Sequence, residues 1–562
     1  MIRLFQTNDI RSVTELEGVW DFAIIDQESD RELNYTYRLP VPGCWEMHPN
    51  LLTYRGKGMY RRTIVTDKQT ALRFVFKGAS HTAEVYFDGE EIARHYNAYT
   101  AFSAVVKHVE PGKHELRVMV DNSFHENSSL HVPNDYYAYG GLIRPVVMEE
   151  IGGVWLDRIR CTPFWENGVW GADISVTVHS MEQTSGLITV RGELAGQNLE
   201  LGTGTVQQGE PFVLSTRHLF PEAEPWSEHN PSLYLLKAKL YREGSVEAID
   251  DLNERVGFRI VSTNDGKIQV NGTNVVLKGF NRHEDHPMAG SALTLPLMVK
   301  DMELMRDMGA NCVRTSHYPN DERFLDLCDE LGMLVWEENH ARGLSLEQMR
   351  HPRFIEQCEA VNREMVEQHG NHPSIVTWGI LNECASDTEE GREHYKRQLE
   401  QIRELDGSRP LTFASDKRMR ELCFDLADIL SFNLYPQWYT DEDPGELIDG
   451  LREWAQTAGG SGKPIIMSEF GGDGFYGHRS PTRVKGTEER QADIIESNLA
   501  AYTSRDYISG ILIWQFCDCR VTEEGPWPMW RSMTRNSKGI VDEYRRPKLA
   551  YSVVKHYFEG GM

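Results

Sequence analysis

The chain has 562 residues, a formal charge of −26, and ordinary apolar (40%) and charged (26%) fractions. That length exceeds one hydrophobic core and implies about two to four domains. The acidic balance runs along the whole chain without an acidic tail, which disfavours nucleic acid and anionic membrane surfaces but leaves room for a local basic pocket that binds a small anion.

Nine cysteines, odd in number and scattered, form no CxxC pair and no Cys/His cluster with metal spacing. They read as reduced thiols of a cytoplasmic protein, and no metal is expected. No GxGxxG or Walker pattern occurs, so no nucleotide cofactor is expected either. Residues 1–19 lack the apolar core of a signal peptide, and no run approaches the length of a membrane span.

Residues 1–150 read as all-β. Alternating runs such as Leu72-Arg73-Phe74-Val75-Phe76 and Ala83-Glu84-Val85-Tyr86-Phe87 end at turn signals, among them Asp88-Gly89 and Pro111-Gly112. A β-sandwich or jelly roll fits this spacing. Val132 to Gly141, rich in aromatics and glycine, interrupts the pattern and reads as a shaped loop. Residues 151–262 form a second β-rich unit. The alternating runs from Ile174, Leu187 and Leu233 suit an immunoglobulin-like sandwich, with Phe220 to Pro231 as a loop.

From residue 263 to 562 strand-like and helix-like segments alternate. Val275 to Phe280 precedes the helical pattern Leu297–Met308. Cys312 to Thr315 precedes Glu322–Leu331, Met333 to Trp336 precedes Phe354–Gln368, and Ile375 to Leu381 precedes Arg392–Leu405. Leu411–Ala414, Ile429–Phe432, Ile465–Met467 and Ile511–Trp514 complete about eight strand–helix units, the content of a (β/α)8 TIM barrel. An open doubly wound sheet is the alternative that the same alternation allows.

In such a barrel the residues just past the strands face the substrate. Two apolar strands end in an acid: Ile375 to Leu381 runs into Asn382-Glu383, and Ile465-Ile466-Met467-Ser468 runs into Glu469. Paired carboxyls about 5 Å apart are what a retaining glycosidase needs, one to protonate the leaving oxygen and one to attack the anomeric carbon.

Leu16-Glu17-Gly18-Val19-Trp20, Val41-Pro42-Gly43-Cys44-Trp45, Gly257-Phe258-Arg259, the Gly279–Asp285 and Arg314–Pro319 stretches and Asn382-Glu383 together resemble glycoside hydrolase family 2 along essentially the whole chain. The resemblance implies Glu383 as acid/base, Glu469 as nucleophile, Tyr435 as hydrogen-bond donor to the nucleophile, and Asn382 as the residue that binds the sugar 2-hydroxyl. Arg535-Asn536-Ser537-Lys538-Gly539 resembles the Asn-x-Lys by which the β-glucuronidase subgroup holds the C6 carboxylate. The physics suits it, since an ammonium and an amide pair with an anion that neutral sugars lack. Asn433 to Tyr439, including Trp438 and Tyr439, resembles that subgroup too. Asp135, His283 and Trp514 are then further wall residues.

The sequence also departs from the subgroup. Ser532 stands where an arginine four residues before the Asn is expected, with Arg531 and Arg535 nearby. The stretch after the third strand differs, and its Arg342 adds a second carboxylate or hydroxyl contact. The connection from Glu338 to Pro352 is short, so an open leaving-group side, or one roofed by a neighbouring subunit, is expected. The reading is a retaining exo-β-D-glucuronidase acting on small-molecule or oligosaccharide glucuronides, without cofactor and as a homo-oligomer. β-D-Galacturonidase or mixed hexuronidase activity stays open. β-Galactosidase activity leaves Asn536 and Lys538 without purpose, and a non-catalytic sugar-binding protein needs neither carboxylate.

Overall fold

The structure is a computed structural model describing residues 2–25 and 33–560. Strands between Ser12 and Ile151 build a sandwich of a six-stranded and a four-stranded sheet. Its pleat follows the sequence: Ala83, Val85 and Phe87 of one strand point into a core with Trp20, Phe22, Trp45 and Tyr60. Asp88-Gly89 makes the hairpin turn between Thr82–Phe87 and Glu90–Tyr96, both residues at positive φ (51° and 90°).

A second, seven-stranded sandwich runs from Val154 to Val256 as sheets of three and four strands, as expected of an immunoglobulin-like unit. Arg11 joins the two sandwiches, bonding Glu149 at 2.9 Å and Asp250 at 2.7 Å. Arg259 ties the second sandwich to the barrel by donating to the carbonyls of Pro373 and Ile375.

Eight parallel strands, the fifth of them in two halves, close into a barrel: Leu277–Asn281, Cys312–Arg314, Leu334–Glu338, Ile375–Gly379, Leu411–Thr412 with Ala414–Ser415, Leu430–Asn433, Ile465–Glu469 and Ile508–Ile513. The fifth strand is broken at Phe413. Leu411–Thr412 pairs with the fourth strand and Ala414–Ser415 with the sixth, and this closes the circle that an open sheet would leave unpaired. A small antiparallel sheet, Val261–Asn264, Lys267–Val270 and Thr273–Val275, plugs the foot of the barrel; Ile268 and Val270 pack with Leu334, Trp336, Ile466 and Leu512.

The outer helices bury one face against this cylinder. Leu295–Asp307, Glu322–Leu331, Phe354–His369 and Glu389–Leu405 lie where apolar periodicity expects them. Glu322–Leu331 starts at Asp321, whose carboxylate accepts from the Arg323 amide, and stops at Gly332 with φ +72°. Three further helices, Pro444–Thr457, Glu488–Thr503 and Ala550–Phe558, have no counterpart in the sequence expectation. Among the described residues no helix is long and apolar enough to cross a membrane.

Candidate active site

The eight strands deliver their last residues to one mouth. Glu469 is the final residue of the seventh strand, and Glu383 follows the fourth. Leu381 and Glu383 both hold positive φ (46° and 53°), an unfavourable conformation for side chains with a Cβ. Local bonds hold it. The Leu381 amide donates to Asn339 Oδ1 at 3.1 Å, and the Glu383 amide to the Ala414 carbonyl at 3.0 Å. The strained turn aims the Glu383 carboxyl into a pocket of about 310 Å³ that Glu469 also lines, together with Asp135, Arg342, Tyr435, Tyr439, Trp514 and Arg531. A larger cavity of about 530 Å³ lies at the opposite end of the barrel, between Val276, Lys278 and Arg505, without paired carboxyls.

Arg314, fully buried at the end of the second strand, is the hub beneath this pocket. It donates to both oxygens of Glu338 at 2.9 Å, to Asn281 Oδ1 at 2.9 Å, to Glu469 Oε1 at 2.9 Å and to Asn382 Oδ1 at 2.8 Å. Tyr435 donates to Glu469 Oε2 at 2.7 Å. Asn433 Nδ2 reaches Glu383 Oε1 at 2.9 Å and Asn382 Oδ1 at 3.1 Å, while its own oxygen accepts from Ser468. With its oxygen doubly occupied, Asn382 presents a buried Nδ2 that has no partner among the described residues. A buried donor without a partner can serve a ligand hydroxyl.

Burial, then the charge of Glu383, push Glu469 up to about 8, against Arg314 and Tyr435. Burial raises Glu383 as well, opposed by Arg342, whose guanidinium lies 3.7 Å away. Two buried carboxyls in one pocket therefore share a proton near neutrality. Their donors decide where it sits. Among the described residues Glu469 accepts a charged guanidinium and a phenol, whereas Glu383 accepts one amide and has Arg342 at ion-pair range only, so the charge belongs on Glu469 and the proton on Glu383.

The expected wall residues divide into two layers. Asp135 reaches the mouth from the aromatic loop of the first sandwich, where Arg531 bonds it at 2.6 Å, Asn536 at 3.2 Å and Arg342 lies at 3.4 Å. Burial opposes its ionisation, but Arg342 and Arg531 outweigh that and hold the carboxyl well below the usual range. Lys538 lies behind the pocket, bonded to Asp473 at 3.0 Å, with its ammonium 5.3 Å from the Trp438 ring centre and 5.5 Å from that of Tyr439. His283 stacks on Tyr136 at 4.8 Å and meets Trp514 edge-on at 5.5 Å. Burial lowers its pKa to about 3, so it is neutral.

Of the two arginines near Ser532, Arg535 pairs with Glu543 and turns away, while Arg531 lines the pocket and donates to Asp135 and Tyr439. The sequence reading did not single out Arg314, Glu338, Asn433 or Asp473 as site residues, and it left Arg531 and Arg535 as alternatives for the arginine missing at Ser532. The strand-tip rule that found the two acids, applied to every strand, also marks Arg314, Glu338 and Asn433, each the last residue of its strand.

Two carboxyls lining one pocket at the mouth of a barrel suit the hydrolysis of a glycoside, and comparison with known proteins points to the same class. The chain matches the models "Glycosyl hydrolases family 2, sugar binding domain" over residues 13–151, "Glycosyl hydrolases family 2" over 154–259, and "Glycosyl hydrolases family 2, TIM barrel domain" over 261–560. It belongs to glycoside hydrolase family 2. Human β-glucuronidase is 27% identical to it over 98% of this chain and 92% of that protein. The β-glucuronidase of Paenibacillus borealis is also 27% identical, over 97% and 96%. Among solved structures, the family 2 β-galacturonidase of Eisenbergiella tayi, bound to galacturonate, superposes with a TM-score of 0.95 at 45% identity, covering 100% of this chain and 99% of that one. The β-D-glucuronidase of Dictyoglomus thermophilum gives 0.83 at 26%, covering 98% of each.

Proposed function

We propose that the protein is a retaining exo-β-D-hexuronidase that hydrolyses β-D-glucuronides to glucuronate and an alcohol. The observation that carries this is a carboxyl pair with unequal donors beside a cationic wall of Arg342 and Arg531, with Lys538 behind it. Glu383 gives its proton to the glycosidic oxygen as Glu469 attacks the anomeric carbon; the bond from that carbon to the alcohol breaks, and the sugar remains as a covalent ester of Glu469. Glu383, now ionised, takes a proton from water, whose oxygen attacks the same carbon and frees Glu469. Tyr435 steadies the Glu469 carboxylate, and the unpartnered Nδ2 of Asn382 binds the 2-hydroxyl. The substrate carboxylate falls to Lys538, Asn536 and, in place of the arginine missing at Ser532, Arg531. His283, Trp438, Tyr439, Trp514 and Asp135 shape the wall.

A second reading, β-D-galacturonidase, is favoured by one observation: identity to the Eisenbergiella tayi β-galacturonidase is 45%, against 27% for the curated β-glucuronidases. The two sugars differ only at the 4-hydroxyl, which we assign to Arg342 and Asp135, polar residues of the pocket wall. The nine cysteines are all unpaired and buried, which supports a cytoplasmic protein, and a homo-oligomer is the assembly expected of it.

The test is hydrolysis of nitrophenyl β-glucuronide, β-galacturonide and β-galactoside by the purified protein and by Lys538→Ala. A uronide should exceed the galactoside in kcat/KM by about 10³ or more, and Lys538→Ala should erase most of that preference. The ratio of the two uronides chooses between the readings. No turnover of either uronide rejects both.

A further inference from the structure

Lys538 is almost wholly buried, its side chain 1% exposed, yet among the described residues its ammonium has one hydrogen-bond acceptor, Asp473, at 3.0 Å. An ammonium carries three donors. Its other close surroundings are the rings of Trp438 and Tyr439, centred 5.3 and 5.5 Å away. Asp473 stands four residues after Glu469, so one loop carries both the proposed nucleophile and the counter-ion of the cation behind the pocket. That loop is fixed in place. The Gly474 amide donates to the Ser537 carbonyl at 3.0 Å, and a Cβ at Gly472 would lie 3.0 Å from the Trp438 ring. Lys538 is held from its own side, where its carbonyl accepts from the Gln515 amide at 3.2 Å.

A buried ammonium stripped of its counter-ion gives up its proton more readily. The other charged groups around Lys538 do not replace Asp473. Arg531 is itself a cation, bonded to Asp135 and Tyr439, and Asp135 is shared among Arg531, Asn536 and Arg342. Lys485, exposed, lies 5.4 Å from the centre of the Trp438 ring and adds a further positive charge. Lys548, which donates to the Ser537 carbonyl, is paired with Asp518 at 2.7 Å. In the wall itself Arg342, Arg531 and Lys538 face two carboxylates, Asp135 and Asp473, which leaves one positive charge for a substrate carboxylate to neutralise.

We infer that Asp473 is a positioning residue for the uronate carboxylate: it keeps Lys538 charged and in place while the pocket is empty. The inference rests on the uronide reading. The test measures KM and kcat on nitrophenyl β-glucuronide, β-galacturonide and β-galactoside from about pH 5 to 8. The proteins are the unmodified enzyme, Asp473→Asn, Asp473→Ser, and Asp473→Asn combined with Lys538→Arg. The uronide KM of Asp473→Asn, divided by that of the unmodified enzyme, should lie within about threefold of unity at the acid end. It should rise about tenfold or more by the alkaline end, as the unpaired ammonium loses its proton. The galactoside ratio and the kcat ratio should stay flat. Asp473→Ser, a second neutral variant, should show the same rise. With Lys538→Arg the rise should vanish, since a guanidinium stays charged. A uronide ratio independent of pH in both neutral variants, a rise that the arginine variant retains, or an equal rise on the galactoside overturns the inference. If the unmodified enzyme does not prefer a uronide to the galactoside, the sugar reading falls and the role of Asp473 falls with it. A clear preference with a flat ratio overturns the role of Asp473 alone.

Discussion

Glu383 and Glu469 are the same amino acid in the same pocket, and the proposed mechanism divides the labour between them by their neighbours. Arg314 is already bonded to Glu338, Asn281 and Asn382, so its charge is fixed in place and gives Glu469 a permanent counter-ion. The sign of the pH dependence follows. Glu383 must be protonated and its value is raised, so activity should fall as pH rises through the upper titration of the pair. Glu383 is neutral while it holds its proton, as glutamine is, so Glu383→Gln should leave the lower titration of the pair in place and remove the upper one. On a dinitrophenyl uronide, whose leaving group needs no proton, that variant should keep the acid limb and lose the alkaline fall. On a methyl uronide it should lose about 10²- to 10⁴-fold in kcat/KM. A pH–rate profile for the variant that matches the unmodified enzyme would contradict the assignment. At this scale the acids were legible because each ends an apolar strand. The position of Arg531 was not, since it depends on the path of residues 521–535 rather than on any strand.

Elements matter here chiefly by carrying residues to the mouth from a distance. The aromatic loop from Val132 to Gly141 leaves the first sandwich and lays Asp135 against the barrel. It is held at its far end by Glu46, which accepts from the Gly140 amide at 2.9 Å, and by Tyr139, which donates to Asp285 at 3.0 Å. A Cβ at Gly140 would lie 2.1 Å from the Trp45 ring and 2.6 Å from Asn122. Gly140→Ala should therefore cost about 1–3 kcal/mol of stability and, by shifting Asp135, depress uronide kcat/KM by more than the melting temperature alone explains. Calorimetry beside steady-state kinetics checks it; a destabilised variant with normal kcat/KM would free the loop of its role. The barrel strands were readable because strands buried on both faces are continuous apolar runs. Glu488–Thr503 was not, because Gln491 and Asn498 are buried on its inner face and interrupt the stripe. The break at Phe413 left no mark in the sequence either. Pairing of the two half-strands with different neighbours creates it.

The molecule as a whole carries two opposed sets of buried carboxyls. Burial pushes Glu46 up to about 8 and Asp285 up to about 6, so their contribution to stability is complete when they are protonated and is lost as pH rises through those values. Asp135, Glu322 and Asp406 are buried too, but Arg342, Lys77 and Arg409 outweigh that and hold them low. Their contribution is present above the usual carboxylate range, about 4, and is lost as pH falls through their own lower values. The lowered set is complete above about pH 4 and the raised set declines from there upward, so the melting temperature should be highest near pH 4 to 5 and fall on both sides; a rise continuing to pH 9 would contradict this balance. The remaining question is whether sugar class, mechanism and nucleophile coincide in one event. A 2-fluoro-uronosyl fluoride, incubated with the protein and followed by peptide mass spectrometry, answers it directly. The account requires a single covalent adduct on the peptide bearing Glu469, absent from Glu469→Gln and not formed by the 2-fluoro-galactosyl analogue. No adduct, or one on another residue, would contradict it.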